Sequence, residues 1–186
     1  MIVLDMSMSL DGFVVGPDDS VEEPMGRGGF RLFNWLDDRD SDGPSGQVYR
    51  EAMTTRALIA GRRTFEHAGR WNGDHHDGVP MFILTHHVDE GDVPPGTAVF
   101  VTDVAEAAAR AKEAAGDRNV LVHGAGAGQA LLKAGLVDEI EVHLVNVLLG
   151  QGRRFFDNLP AEYIELEPIR QLVDRDVTHL RYRVVR

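Results

Sequence analysis

Three short apolar runs recur along the chain, and each is bounded by a residue that breaks it. Ala57-Leu58-Ile59-Ala60 runs into Gly61, Met81-Phe82-Ile83-Leu84 is entered through Pro80, and Asn119-Val120-Leu121-Val122 closes on His123-Gly124. Runs this short with no polar side suit strands buried on both faces. Ala98 to Val101 reads as another. Helix patterns lie around them. Phe30 to Leu36 is a short one, and Gln47 to Thr55 carries Val48, Ala52 and Met53 on one face. Asp103 with Glu106 caps an alanine-rich stretch from Ala105 to Ala115 that stops at Gly116, and Gln129 to Gly135 gives a turn or two. Ile2 to Leu10 and Glu139 to Val147 alternate with the period of a strand, whereas Tyr163 to Val173 and Val177 to Val185 read as an antiparallel pair around Asp174-Arg175-Asp176. Residues 17 to 29 and 41 to 46 are rich in turn formers and read as loops, the first of them mobile. Strands alternating with helices predict one α/β domain over residues 1–186. It is a three-layer sandwich whose central sheet is mixed, mostly parallel, with antiparallel C-terminal strands.

Composition narrows the chemistry. With 43% hydrophobic residues a core is affordable, and disorder is not expected. A net charge of -11 argues against a nucleic-acid partner, since binding phosphate backbones needs a basic face. The absence of cysteine excludes disulfides, thiolate metal sites and a cysteine nucleophile. No apolar run approaches the ~20 residues that span a bilayer, and Met1-Ile2-Val3-Leu4-Asp5 lacks the basic start of a signal peptide. The expectation is a soluble, cytoplasmic protein.

Three strand ends carry groups that suit phosphate. His123-Gly124-Ala125-Gly126-Ala127-Gly128-Gln129 places glycines between a strand and a helix start, where backbone N–H groups and the helix dipole favour an anion. A glycine turn for tight helix–sheet packing explains the same residues equally well. Gly61-Arg62-Arg63-Thr64 puts two guanidinium groups at a strand end in an acidic chain, with Thr64 available as a helix cap. Leu84-Thr85-His86 forms the third edge. Open α/β sheets bind ligands along that edge, so a polyanionic small molecule is expected there. On the opening strand Asp5, Ser7 and Ser9 share a face. A buried carboxylate needs a partner or a cleft. Asp5 therefore either pairs with an arginine such as Arg181 or Arg183, the slightly favoured option, or has a raised pKa and donates a proton. His75-His76, beside Asp74 and Asp77, reads as a solvated loop rather than a metal site. The apolar run from Leu144 to Leu149 suits either a homodimer interface or an internal strand.

In that order, Ser9-Leu10-Asp11-Gly12-Phe13-Val14-Val15-Gly16, Gly61-Arg62-Arg63-Thr64-Phe65-Glu66 and Val122-His123-Gly124-Ala125-Gly126 resemble the motifs of the dihydrofolate reductase superfamily. The stretch from Leu131 to Ile140, continued by Leu148-Leu149-Gly150-Gln151-Gly152, is most similar to the reductase domain of bacterial riboflavin biosynthesis. The resemblance implies a dihydrofolate-reductase-like fold and an NADPH-dependent reductase. By position, Gly61, Arg62, Arg63 and Thr64 would hold the cofactor's phosphates, and Leu84, Thr85 and His86 would flank the adenosine. Gly124, Ala125, Gly126, Ala127, Gly128 and Gln129 would cradle the pyrophosphate. The loop from Asp11 to Gly16 would border the nicotinamide, with the segment after it as a lid.

The reading is hydride transfer from NADPH to a small heterocycle of the pterin or ribosylaminopyrimidine kind. Asp5 is the candidate proton donor, with Asp11 and Glu66 behind it, and Phe33 and Trp35 are candidates for the substrate wall. The alternative is a nucleotide- or ligand-binding protein on the same fold without catalysis.

Overall fold

The computed structural model describes residues 1–185. Its centre is an eight-stranded sheet in the order β5-β4-β3-β6-β1-β7-β10-β9, formed by β1 (Ile2–Ser9), β3 (Ala57–Gly61), β4 (Met81–Leu84), β5 (Ala98–Val101), β6 (Val120–His123), β7 (Glu139–Val145), β9 (Leu166–Val173) and β10 (Val177–Val184). From β5 to β7 every pairing is parallel, while β10 runs antiparallel to both β7 and β9. This is the mixed three-layer α/β sheet that the alternation predicts. A two-stranded ribbon of β2 (Phe13–Val15) and β8 (Arg153–Arg154), absent from the sequence reading, lies beside it.

The helices are α1 (Pro44–Met53), α2 (Arg62–His67), α3 (Val104–Ala115) and α4 (Ala125–Lys133), with 3-10 turns at Gly29–Asp38 and Gly69–Gly73. Helix α3 starts as expected, its Asp103 Oδ1 accepting from Glu106 N at 2.7 Å. Three starts differ. Helix α1 begins earlier than Gln47, because Pro44 is pre-organised for a first helical position. The Phe30–Leu36 helix is a longer 3-10 turn. Helix α4 begins at Ala125, four residues before Gln129, since low glycine propensity disguises a helix whose first turn is Ala-Gly-Ala-Gly. None of the helices among the described residues is long and apolar enough to cross a membrane.

The sheet has two unlike faces. Ile2, Leu4, Ile140 and Val142 pack with the alanine side of α3 and with Leu131 of α4 in the main core. Opposite them, under α1 and the Gly29–Asp38 turn, the buried residues include Asp5, Ser7, Glu139, Glu141, His143 and His179. Of the Leu144–Leu149 run, Val145 is buried in a cluster with Leu32, Trp35 and Val177, while Leu144, Val147 and Leu149 are half-buried and Asn146 is exposed. Leu148 is exposed.

Candidate functional site

The parallel strands end together, Gly61 beside Leu84 and Ala60 beside His123, so β3, β4 and β6 present one edge. A cleft of about 550 Å³ opens beyond the end of β6, at the start of α4. Its floor is the start of α4, Ala125 and Gly126, with Gln129 one turn on, and its walls are Gly16 to Asp19 and Gln151 to Arg154, closed by Asp157 and Asn158. Gln129 donates from Nε2 to Phe155 O at 2.8 Å, tying the helix to the wall.

The glycines at this floor divide by physical role. Gly124 has φ +95°, and a Cβ there would overlap the Thr64 hydroxyl. A Cβ on Gly128 would come within 2.6 Å of Leu4 Cδ1, so this glycine serves packing. Gly126 has open space within 4 Å and faces the cleft. The packing reading of the glycine stretch therefore holds at Gly128 and the close approach at Gly124 is to Thr64, while Gly126 is left open toward the cleft.

Of the arginine pair, Arg62 is committed elsewhere. It bonds Glu66 at 2.7 Å and also Asp92, and lies over the Phe100 ring. Arg63 forks onto Asp19 through Nε at 2.9 Å and one terminal nitrogen at 2.8 Å. Arg153 comes to 3.8 Å and His67 to 3.5 Å of the same carboxylate. An acidic residue of the glycine-rich loop therefore occupies a basic cluster beside the cleft. Thr64 is the third residue of α2 rather than its cap, and its hydroxyl abuts Gly124. Leu84, Thr85 and His86 sit at the end of β4 beside Gly61, outside the cleft lining, and Thr85 Oγ1 donates to His87 O at 2.8 Å. Sequence reasoning missed Arg153 and Arg154. Adjacent arginines in an acidic chain had singled out Arg62 and Arg63, and the same signal holds here.

The candidate acids occupy three settings. Asp11 accepts from Ser9 Oγ at 2.6 Å and from the backbone of Leu149 and Gly150 at 3.1 and 2.7 Å, so it staples the loop after β1 to the one before β8. The Ser9 bond first, then those amides, hold its pKa low despite some desolvation. Glu66 grips Arg62 and Arg70. Arg70 belongs to a run with Trp71 and Asn72 at φ 54°, 47° and 50°, left-handed backbone that costs about 1–2 kcal/mol per residue. Glu66 thus clamps a strained turn, and burial pushing its pKa up is outweighed by those two guanidiniums. Asp5 has neither arginine as its partner. Arg181 bonds Glu139 at 2.7 Å and Arg183 bonds Glu167 at 2.8 Å, while Asp5 Oδ1 faces His143 Nε2 at 3.2 Å. Burial pushes its pKa up, but the charge and hydrogen bond of His143, with His123 and Arg181, bring the net direction below the usual carboxylate value, not above it. Asp5 also borders a narrow pocket of about 20 Å³, room for one water.

His123 Nδ1 faces the Asp5 carbonyl at 3.0 Å and immediately precedes the cleft floor. His75 is half-buried rather than solvated: it packs on Trp71 and His123, and burial, with the imidazoles of His123 and His76, lowers its pKa to about 3. Trp35 is buried, donates from Nε1 to Ser7 Oγ at 2.9 Å and covers His143, whereas Phe33 is partly exposed. Among the described residues no group of three or more acidic or histidine side chains is placed to hold a metal ion.

The model of the RibD C-terminal domain family matches residues 1–179. The chain belongs to that family. No curated protein matches it. Solved structures share the fold of this RibD C-terminal domain at low identity. A protein named for riboflavin biosynthesis from Shewanella sp. PV-4 superposes with TM-score 0.71 at 21% identity, covering 100% of this chain and 99% of that one. The Thermotoga maritima diaminohydroxyphosphoribosylaminopyrimidine deaminase/5-amino-6-(5-phosphoribosylamino)uracil reductase gives 0.67 at 11% identity, with 100% of this chain matched to 56% of that one. Dihydrofolate reductase from Enterococcus faecalis, complexed with NADP(H), gives 0.59 at 15%, covering 99% and 96%. The dihydrofolate-reductase-like architecture expected of the sequence is therefore present, on a domain related to the pyrimidine reductases of riboflavin biosynthesis.

Proposed function

We propose that this protein is an NADPH-dependent reductase acting on a C=N or C=O bond of a small phosphorylated heterocycle of the ribosylaminopyrimidine kind. The observation that carries the reading is the cleft at the strand ends, where the first turn of α4 meets Arg153 and Arg154. The residues present fit a dinucleotide. Gly126 leaves its backbone open to a pyrophosphate, and the α4 N–H groups need no basic side chain to hold one. Arg63 already forks onto a carboxylate, Asp19, in the manner it would hold a phosphate, and Arg153 lies 3.8 Å from the same carboxylate. Leu84, Thr85 and His86 would flank the adenosine, and the Asp11–Gly16 loop, pinned by Asp11, would border the nicotinamide. Bound there, the cofactor supplies the hydride. The chain's own part is to fix the cofactor, exclude water and deliver one proton, for which the buried Asp5–His143 pair is the candidate.

The test is NADPH consumption by the purified protein with 5-amino-6-(5-phosphoribosylamino)uracil. Turnover that falls at least tenfold in Asp5→Asn, with the affinity for NADPH retained, is expected. Tight NADPH binding without turnover on this or related carbonyl compounds would favour the non-catalytic reading instead.

A further inference from the structure

Three imidazoles near the ends of β6 and of the loop before β4 have their protons placed by backbone carbonyls. The β1–β6 pairing stops at Leu4 and Val122, and one residue further on His123 Nδ1 faces the Asp5 carbonyl at 3.0 Å. A carbonyl only accepts, so His123 carries Nδ1–H. His76 Nε2 faces the Thr55 carbonyl at 3.1 Å and carries Nε2–H for the same reason. The Thr55 hydroxyl, its own proton given to Ala52 O at 2.7 Å, accepts from that nitrogen as well at 3.3 Å. A neutral His76 then has a bare Nδ1. It faces His75 Nδ1 at 2.7 Å, so the proton between them belongs to His75.

Burial keeps the two outer rings neutral. It lowers the His75 pKa to about 3 and moves His123 downward too, against the pull of the Asp5 carboxylate. A neutral ring protonated at Nδ1 holds a bare lone pair at Nε2, and His75 and His123 are both of this kind. Neither Nε2 has a hydrogen-bond partner among the described residues, yet neither is sealed in: the buried side-chain atoms left without a partner are Arg31 Nη1 and Arg170 Nε. Both rings are half-buried, so these two nitrogens open to solvent. The rings stand 5.2 Å apart at a tilt of 44°, and Trp71, also half-buried, packs against His75 at 5.0 Å. His123 directly precedes Gly124, the residue that caps α4 at the cleft floor.

We propose that His75 and His123 form a recognition site for a flat heterocycle that carries two neighbouring N–H donors on one edge, each Nε2 accepting one of them. The Trp71 flank suits a flat ring. A bare imidazole nitrogen also ligates metal ions, but a metal site takes three or more ligands, and no group of three acidic or histidine side chains among the described residues offers them. Neutral acceptors of this kind read donors without adding charge, so they reject a ring edge that presents carbonyls, whose lone pairs they would meet head-on. His76 is a positioning residue: held by the Thr55 carbonyl, it fixes the His75 tautomer that accepts. That the ring bound here is the one reduced rests on the reductase reading; that it binds does not.

The experiment is nitrogen-15 NMR of the histidine rings of the whole protein at neutral pH, with and without NADPH. The probe is 5,6-diaminouracil, whose two amino groups are adjacent, and the control is uracil, which lacks them. The wild type is expected to show His75 and His123 as Nδ1–H tautomers and His76 as the Nε2–H tautomer. The probe should shift the Nε2 signals of His75 and His123 and bind at least tenfold more tightly than uracil. His123→Phe keeps a ring but removes its acceptor, and should weaken binding of the probe at least tenfold. His76→Phe leaves His75 free to carry its proton on Nε2, and should weaken the probe several-fold as that tautomer appears. An Nε2–H tautomer at His75 or His123 in the wild type would overturn the inference, and so would Nε2 signals that the probe leaves unmoved in both conditions. Zinc that shifts both signals at micromolar concentration would overturn it in favour of a metal site. Absence of NADPH turnover would count against the reductase reading alone, with the ring signals still deciding the site.

Discussion

Gly126 and Gly124 sit two residues apart, yet they should answer differently to the same change. Alanine at Gly126 meets open space in the first turn of α4, where it should be neutral or stabilise by up to about 1 kcal/mol. On the proposed reading it also places a methyl group where the cofactor's pyrophosphate would lie, so NADPH affinity should drop at least tenfold with Tm unchanged or raised. Alanine at Gly124 meets both φ +95° and the Thr64 hydroxyl, and should cost roughly 1–3 kcal/mol of stability. Chemical denaturation and cofactor titration of both variants check this; equal affinity in wild type and Gly126→Ala would remove the pyrophosphate from this floor. Periodicity could not separate the glycines of this stretch, because their roles depend on what stands opposite: Thr64 at Gly124, open space at Gly126 and Leu4 at Gly128. Asp5 illustrates the same limit. Its burial was legible from a polar residue on a central strand, but its partner was not, since His143 lies far along the chain and is brought abreast only by the β1–β7 register.

The acidic segment between β2 and the Gly29–Asp38 turn is tied down by backbone bonds from Gly16 to Met25 and from Arg27 to Pro17, at 2.9 Å each. Turn residues correctly marked it as a loop; its closure through Asp19 onto Arg63 and Arg153 is long-range and carries no local signal. A carboxylate in that position competes with any incoming phosphate. Asp19→Asn should therefore tighten NADPH binding several-fold, the equivalent of about 1 kcal/mol for a partly exposed ion pair, with the gain shrinking at high salt. Titrations at low and high salt would show it. Weaker binding in the variant would mean that Asp19 organises the site rather than blocking it. The helix starts missed in the sequence, at Pro44 and Ala125, have a common reason: glycine and proline are counted as breakers although both are tolerated in a first turn.

For the molecule as a whole, the mixed, mostly parallel sheet and its helical covering were legible because short apolar runs admit few other structures, whereas the order of its strands was not. The buried polar face was not, since Glu139, Glu141 and His143 alternate with apolar residues just as an exposed strand side does. That face gives the fold a pH dependence. His75 and His179 are kept neutral by burial, with pKa values of about 3 and about 4. In the unfolded chain each takes up a proton near pH 6.5, so the unfolded state binds more protons between that value and the folded ones. Stability should accordingly fall as pH drops below 6.5, by about 1.4 kcal/mol per pH unit for each imidazole. Urea midpoints from pH 7 to 5 would record it, and a flat profile would contradict the burial of these rings. The proposed cofactor cleft is best tested by calorimetric titration of the wild type and Arg153→Ala with NADPH and NADH. Micromolar binding of NADPH, tighter than NADH and weakened at least tenfold by the substitution, is the expected result. Failure of the wild type to bind either dinucleotide would contradict the assignment of the cleft and, with it, the reductase.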